Sequence, residues 1–411
     1  MWREFDSPHS PLTKGDEMKT NLIKGFRDYD GKDAEKKAIV REMIRQTFER
    51  YGFSPAETPV IESEEFVKDE NSEDEAVSDI YKLEDKGKRK LALRYEFTFQ
   101  LKRLMKNKKL PFKRYQIGEL FRDEPVGPNR FRQFTQCDAD VVGATIKDEA
   151  EILAMASEIL KNLGIEFTIL FNNRKLLNEI LDDLKIKKNR EEIMRELDKI
   201  DKQKLQETQN NLAKLGAENL LDAINQGEKY FVKFNSYREI IGLIEYCKSY
   251  GIKIQFAPSL VRGLSYYNGS VFEIKTKKIS ENQKISTNSP KFGQIKETIV
   301  GGGSYKFNDV RCTGISFGLE RLCAVTNLIV NLEKYLIVSL MQDREAIKLA
   351  QKLRRQNKIV SMYYGKPSKA MEYANSYGFQ KVIFVGAREV KEKKFRVKIM
   401  KSGKEKIIRK L

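Results

Sequence analysis

Residues 112 to 143 read FKRYQIGELFRDEPVGPNRFRQFTQCDADVVG. The first thirteen alternate apolar and polar side chains, the period-two pattern of a strand with one covered face. PVGPN then places two prolines and a glycine where neither a strand nor a helix can continue. The alternation resumes in RFRQFTQCDADVVG. This predicts an antiparallel hairpin with a long loop flanked by arginines, the kind of unit on which an antiparallel sheet is built.

The neighbouring segments fit such a sheet flanked by helices, an α+β arrangement. Upstream, residues 33–51 carry Val40, Met43, Ile44, Phe48 and Tyr51 at helical spacing. Pro55 and Pro59 then bar a helix interior, Val60-Ile61 suggests the start of a strand, and KLALRYEFTFQLKRLM reads as a strand running into a helix. Downstream, DEAEILAMASEILKNL (148–163) is a strongly periodic helix and IEFTILFNN another strand. From 174 to 249 the chain is lysine-rich and helical, without a clear strand. Strands return in IQFAPSLVRGLSYYNGSVFEIKTK, with a hairpin expected at Asn268-Gly269, then in ETIVGGGSYKF, and GISFGLERLCAV feeds a helix from Leu319. From KYLIVSLM onward strand and helix alternate through KVIFVGA, a small α/β layer, before the basic run REVKEKKFRVKIMKSGKEKIIRKL, expected to be a strand hairpin.

Composition narrows the function. Lys and Arg number 77 against 59 acids, a formal charge of +18, which suits a polyanionic partner as well as it suits lysine-rich solvated faces. Apolar runs fall short of the roughly 18 residues a membrane helix needs. The first seventeen residues lack the apolar core of a signal peptide and read as a disordered leader before Met18. Four cysteines (137, 247, 312, 323) show no paired spacing, and the single histidine, His9, lies in that leader, so neither a zinc site nor a histidine base is expected in the folded part. The cysteines are expected reduced and partly buried, as in a cytoplasmic protein.

Chemistry must then run on carboxylates, arginines and tyrosines. Arg122 in FRDE, Arg262 in LVRGL and Arg321 in GLERL each stand among apolar residues, where a guanidinium needs an anion. Two readings compete: salt bridges with Glu119, Glu124 or Glu320, or convergence on a polyphosphate, which the planar fork binds bidentately. Gly301–Gly303 matches neither a P-loop nor a dinucleotide fingerprint.

The set KGFRD, FRDE with RFRQF, LVRGLSYYNG, GGG-x-Y and GISFGLERL resembles the histidyl-tRNA synthetase family of class II aminoacyl-tRNA synthetases, over nearly the whole chain from about Lys19. The resemblance implies a class II antiparallel sheet flanked by helices, with catalytic parts at 18–173 and 250–330, a helical insertion at 174–249 and an anticodon-binding α/β domain at 333–411. It implies ATP as substrate with Mg2+, L-histidine and tRNA(His) as partners, a homodimer, and no membrane.

By matching motifs, Arg122 resembles the clamp on the α-phosphate and carboxylate, Glu124 the adenine contact and Phe134 the ring stacked on adenine. Arg130 and Arg321 resemble outer-phosphate ligands, and Arg262 an arginine between substrate carboxylate and α-phosphate. Glu96, Thr98 and Gln136 match positions used for the substrate amino group. Asp140 and Tyr267 match those reading the imidazole nitrogens, with Tyr266 and Tyr305 nearby. Ser265, Ser304 and Lys306 depart from the family pattern, and Asp140 stands where some branches carry glutamate. Two other readings are a catalytically inactive, synthetase-like regulatory subunit of histidine biosynthesis and a tRNA-binding module.

Overall fold

A computed structural model describes residues 21–68, 77, 79–127, 130–200, 203–261, 266–276 and 298–408. The expected leader with His9, Met18, and Arg262 to Ser265 lie outside these residues. The chain divides into two compact units, residues 1–29 with 37–328, and residues 30–36 with 329–411.

The first unit is built on an eight-stranded sheet in the order β1-β5-β6-β11-β10-β9-β7-β8. Its strands are β1 Ser54–Pro55, β5 Phe112–Phe121, β6 Gln133–Val142, β7 Phe167–Asn173, β8 Gln255–Phe256, β9 Tyr267–Thr276, β10 Thr298–Phe307 and β11 Val310–Gly318. The six central strands pair antiparallel, and only the short edge strands β1 and β8 pair parallel. The hairpin read in residues 112–143 is β5 and β6, in register from Phe112↔Val142 to Phe121↔Gln133. A smaller antiparallel sheet joins β2 Ile61–Ser63, β4 Lys90–Leu93 and β3 Lys82–Glu84 in that order.

Alternation gives the large sheet two unlike faces. Cys137, Ala139, Val141, Ile315 and Phe317 join one apolar core with Ile152, Leu153, Met155 and Ala156 of the helix Ile146–Asn162. That helix starts where Thr145 accepts from the Lys147 N–H and Asp148 reaches back to the Thr145 backbone, a reciprocal cap. The helices between Arg174 and Ser249 bury Leu176, Leu177, Leu243 and Cys247 in the same core. The opposite face carries polar side chains, glycines and a smaller cluster around Leu101, Val142, Tyr267 and Tyr305.

In the second unit β13 Ile359–Tyr364, β12 Lys334–Ser339 and β14 Lys381–Val385 run parallel, followed antiparallel by β15 Phe395–Ile399 and β16 Glu405–Ile408. The helix Asp343–Arg355 covers one side through Ala346, Leu349, Ala350 and Leu353. The helix Pro367–Ser376 covers the other through Ala370 and Ala374.

Two local expectations are corrected. Asn268-Gly269 is not a hairpin turn: it lies inside β9, where Tyr267 pairs Tyr305 and Val271 pairs Gly303, so four steps along β9 meet two along β10. The pair absorbs that bulge, and Gly269 does so because a Cβ there would come within 3.0 Å of Ser304. In the basic C-terminal run, Ala387–Glu392 is a short helix ahead of the β15–β16 hairpin. Among the described residues no helix is long and apolar enough to cross a membrane. Cys137, Cys247 and Cys312 are buried and Cys323 is half-buried.

Candidate active site

Strand register collects the polar residues of the open face. Across β5 and β6, Arg114 opposes Asp140, Gln116 opposes Asp138 and Gly118 opposes Gln136. Across β6 and β11, Asp140 opposes Gly314, Asp138 opposes Ser316 and Gln136 opposes Gly318. Gly314 in turn faces Gly303 on β10. The small residues are obligatory here: a Cβ at Gly314 would sit 2.1 Å from Asp140 Oδ1, and one at Gly303 would sit 2.7 Å from the Tyr267 ring. The result is a basin floored by glycine and walled by carboxylates, an amide and phenols.

At one end of the basin the Tyr305 hydroxyl donates to Asp140 Oδ1 at 2.5 Å, and Arg114 Nη2 stands 3.0 Å from Oδ2. Arg114 is wholly buried and also donates to the Phe97 carbonyl at 3.2 Å, just ahead of the helix Thr98–Leu104. Burial pushes the Asp140 carboxyl up, against the pull of Arg114 and of the Tyr305 hydrogen bond. Tyr266 packs its ring 4.7 Å from that of Tyr267 and 5.6 Å from that of Tyr305. Burial raises the Tyr266 phenol, as do Tyr267 and the nearby Glu96, while a hydrogen bond with Thr98 opposes them. Tyr305 is likewise raised by burial and then by Asp140. Glu96, Thr98, Asp140, Tyr266, Tyr267 and Tyr305 are thus one connected cluster, in which an aromatic ring with a nitrogen on each edge would meet a carboxylate and phenols.

Farther along β6, the Gln136 side-chain N–H donates to Asp138 Oδ2 at 2.9 Å and to the Ser316 hydroxyl at 3.4 Å. Asp138 is pushed up to about 7, first by burial and then by Asp140, with Arg114 opposing.

The other end of the basin lies where β5 finishes, β6 begins and β11 finishes. There the Arg122 guanidinium sits 5.2 Å above the Phe134 ring, and its Nε donates to the Tyr95 carbonyl at 3.1 Å. Arg130 pairs Glu124 at 2.6 Å, so two of the expected ATP ligands hold each other. Arg321, in the helix Leu319–Val325 directly after β11, donates to the Thr298 carbonyl at 2.8 Å. Of the salt bridges considered for Arg122, none is found among the described residues. Glu320 is taken by Lys37 at 2.7 Å and by the Thr135 N–H, and Arg122 has no carboxylate partner among the described residues. Arg122, Phe134 and Arg321 therefore share one end of the sheet. Arg262 lies outside the described residues.

Sequence reasoning missed Arg114, Asp138, Ser316 and the glycine floor. Parity was the available signal for the first two. Arg114 stands an even eight residues before Arg122, which directly follows β5, and Asp138 lies midway between Gln136 and Asp140. Of the departures from the family pattern, Ser304 faces away from the basin and bonds the buried Glu149, while Lys306 is exposed.

Against known families, a model described as histidyl-tRNA synthetase matches residues 25–322, and one described as anticodon binding domain matches residues 328–410. A Bacillus cereus protein named histidine–tRNA ligase 1 is 32% identical, the match covering 94% of this chain and 97% of the relative. A histidine–tRNA ligase from Methanocaldococcus jannaschii is 31% identical, covering 94% and 96%. Among solved structures, histidyl-tRNA synthetase from Nostoc sp. PCC 7120 superposes with a TM-score of 0.79 at 23% identity, over 95% of this chain and 97% of that one. At that identity the likeness speaks for the fold, the antiparallel sheet with its flanking helices.

Proposed function

The chain belongs to the histidyl-tRNA synthetase family and carries out ATP-dependent ligation of histidine to tRNA, and we propose that the two ends of the basin divide that work. In the first step a carboxylate oxygen of histidine attacks the α-phosphorus of ATP in line, and pyrophosphate leaves with the electron pair of the broken P–O bond. In the second, a ribose hydroxyl of the terminal tRNA adenosine attacks the acyl carbon of the adenylate and AMP leaves. The attacking carboxylate is ionised at neutral pH, so the first step asks for alignment and charge neutralisation, with no enzymatic base.

The observation that carries this division is the Asp140 carboxylate held between Tyr305 and Arg114 over glycine. With Tyr267 it would read the two imidazole nitrogens, while Glu96, Thr98 and Gln136 take the ammonium. Arg122 would grip the α-phosphate and substrate carboxylate, and Arg130 and Arg321 the outer phosphates. Glu124 and Phe134 would receive adenine once Arg130 swings from Glu124 to phosphate. Arg262 would neutralise the developing charge at phosphorus, a role that rests on the LVRGL motif alone.

Mg2+ enters in this scheme with ATP, as the MgATP substrate. The partition into catalytic parts 18–173 and 250–330, an insertion at 174–249 and a tRNA-gripping domain at 333–411 is part of the proposal. So is a cytoplasmic homodimer, in favour of which Val60 and Ile61 beside Pro59 are exposed apolar residues. The reading as an inactive regulatory subunit or bare tRNA-binding module is disfavoured by ligase relatives matched over nearly their full length. Pyrophosphate exchange into ATP, run with each of the twenty amino acids, tests the activity; exchange with histidine alone is expected, and exchange with none would overturn it.

A further inference from the structure

Between the two ends of the basin stands a carboxylate with no role in the scheme above. Asp138 is 3% exposed, and its Oδ1 has no hydrogen-bond partner among the described residues. Its other oxygen accepts from the Gln136 side-chain nitrogen at 2.9 Å, and the same nitrogen reaches the Ser316 hydroxyl at 3.4 Å. Once ionised, the Asp138 carboxylate can only accept, so the Gln136 amide then turns its N–H edge toward it. The carbonyl oxygen is thereby turned outward. Gln136 is half-buried, and that oxygen accepts no bond from the described residues.

We propose that Asp138 is a positioning residue for the α-ammonium of histidine: it locks the Gln136 amide with its carbonyl toward the basin, so that the amide can accept from a cation and cannot donate to a competitor. The inference rests on the reading of Gln136 as an ammonium ligand. Three features support it. The strand places Gln136, Asp138 and Asp140 on one face at two-residue steps, so the lock and the imidazole reader belong to one rigid element. Ser316, directly opposite Asp138 on β11, offers the amide N–H a second acceptor at 3.4 Å. The orphaned Oδ1 leaves negative charge buried beside the amide, a cost that a nearby cation repays. The charged groups facing Asp138 are Arg114 from β5 and Asp140 from its own strand. Arg114 engages Asp140 through Nη2 at 3.0 Å, while its Nε and Nη1 have no hydrogen-bond partner among the described residues.

The experiment measures histidine KM and kcat in pyrophosphate exchange for the full chain, and inhibition by 3-(imidazol-4-yl)propanoate, which is histidine without its ammonium. Asp138→Ala removes the acceptor. Asp138→Asn keeps the shape but no longer dictates which way the opposing amide turns, and it guards against an alanine variant that does not fold. Either substitution is expected to raise histidine KM about tenfold, the order of one lost charge-assisted hydrogen bond, with kcat within about threefold and the Ki of the propanoate unchanged. The Gln136→Ala, Asp138→Ala double variant is expected to be no worse than Gln136→Ala alone, because the two residues act as one. Equal losses for histidine and the propanoate, or additive losses in the double variant, would show that Asp138 serves packing only and would overturn the proposal. If Gln136→Ala raises KM while Asp138→Asn does not, this inference falls and the reading of Gln136 stands. If Gln136→Ala leaves KM untouched, the reading of Gln136 itself falls.

Discussion

Arg114 and Asp140 oppose each other across β5 and β6, with Nη2 3.0 Å from Oδ2 and the arginine wholly buried. A buried pair of this kind adds little net stability, yet breaking it leaves a charge uncompensated. Arg114→Met should therefore cost roughly 3–5 kcal/mol in chemical denaturation. It should also raise histidine KM, because without the cation that draws its pKa down Asp140 ionises less readily and accepts more weakly from imidazole. Unchanged stability together with unchanged KM would show that the pair is incidental.

Tyr305→Phe deletes one hydroxyl and keeps the ring that packs on Tyr266 and Phe307. The other Asp140 oxygen remains held by Arg114, so the carboxylate stays in place but loses orientation. Histidine KM should rise about five- to tenfold, in line with one hydrogen bond of about 1 kcal/mol, while ATP KM and the thermal midpoint move little. A larger effect on ATP than on histidine would place Tyr305 outside the amino-acid end.

Gly314→Ala tests the floor. A Cβ at this position meets Asp140 Oδ1 at 2.1 Å, closer than any real contact, so Asp140 must move toward the space proposed for imidazole. Histidine binding measured by calorimetry should fall by at least tenfold, since an effect of only about 1.4 kcal/mol suffices for that factor. ATP binding at the other end of the sheet should be retained. If histidine affinity survives, the basin over Gly314 is not where the side chain sits.

Asp138 gives a pH signature in the ligand-free protein. Its carboxyl, ordinarily near 3.8, titrates at about 7 in the fold, through burial first and Asp140 second. Between those values the folded chain holds a proton that the unfolded chain has released, so this group's contribution is full below the lower value and is lost as pH rises through the upper. Asp138→Asn removes the dependence. The variant should match the parent in stability near pH 4 and exceed it at pH 8 by a few kcal/mol, because each tenfold difference in proton affinity between fold and unfolded chain is worth about 1.4 kcal/mol. Denaturant midpoints across that range decide it; a constant difference would mean that Asp138 does not titrate there.

The local rhythm of the chain was legible wherever one face of an element is wet and the other dry. Val40, Ile44 and Phe48 announced the first helix, and Cys137, Ala139 and Val141 set against Gln136, Asp138 and Asp140 announced β6. What could not be read is which remote strands meet. β11 follows β6 by more than 160 residues yet supplies Gly314 and Ser316 beneath its carboxylates, and nothing in either segment states that register. Asn268-Gly269 misled for the same reason: its turn chemistry is real, but pairing with β10 recruits it into a bulge. Arg114 was hidden by its company, since a lone arginine in an alternating strand looks solvated until the opposing aspartate is known. The motif residues stood out because family resemblance marks them, whereas no quoted motif singled out Arg114 or Asp138.

Arg262 lies outside the described residues, and its role rests on the motif LVRGLSYYNG, so kinetics must speak for it. A guanidinium that neutralises charge developing on phosphorus contributes in the transition state and hardly at all in the ground state. Arg262→Ala should then lower kcat for pyrophosphate exchange by about 100- to 1,000-fold, the loss typical of one preorganised donor, with histidine Kd changed only a few-fold. Arg262→Lys should recover only part of the rate, because a point charge cannot reproduce the planar fork that spans carboxylate and phosphate. Arg122→Ala, acting on ground-state substrate as well, should raise KM for ATP and depress kcat together. An Arg262→Ala variant that turned over at the parental rate, or that lost histidine binding as heavily as kcat, would move this arginine out of the adenylation step and leave Arg122 and Arg321 to carry it.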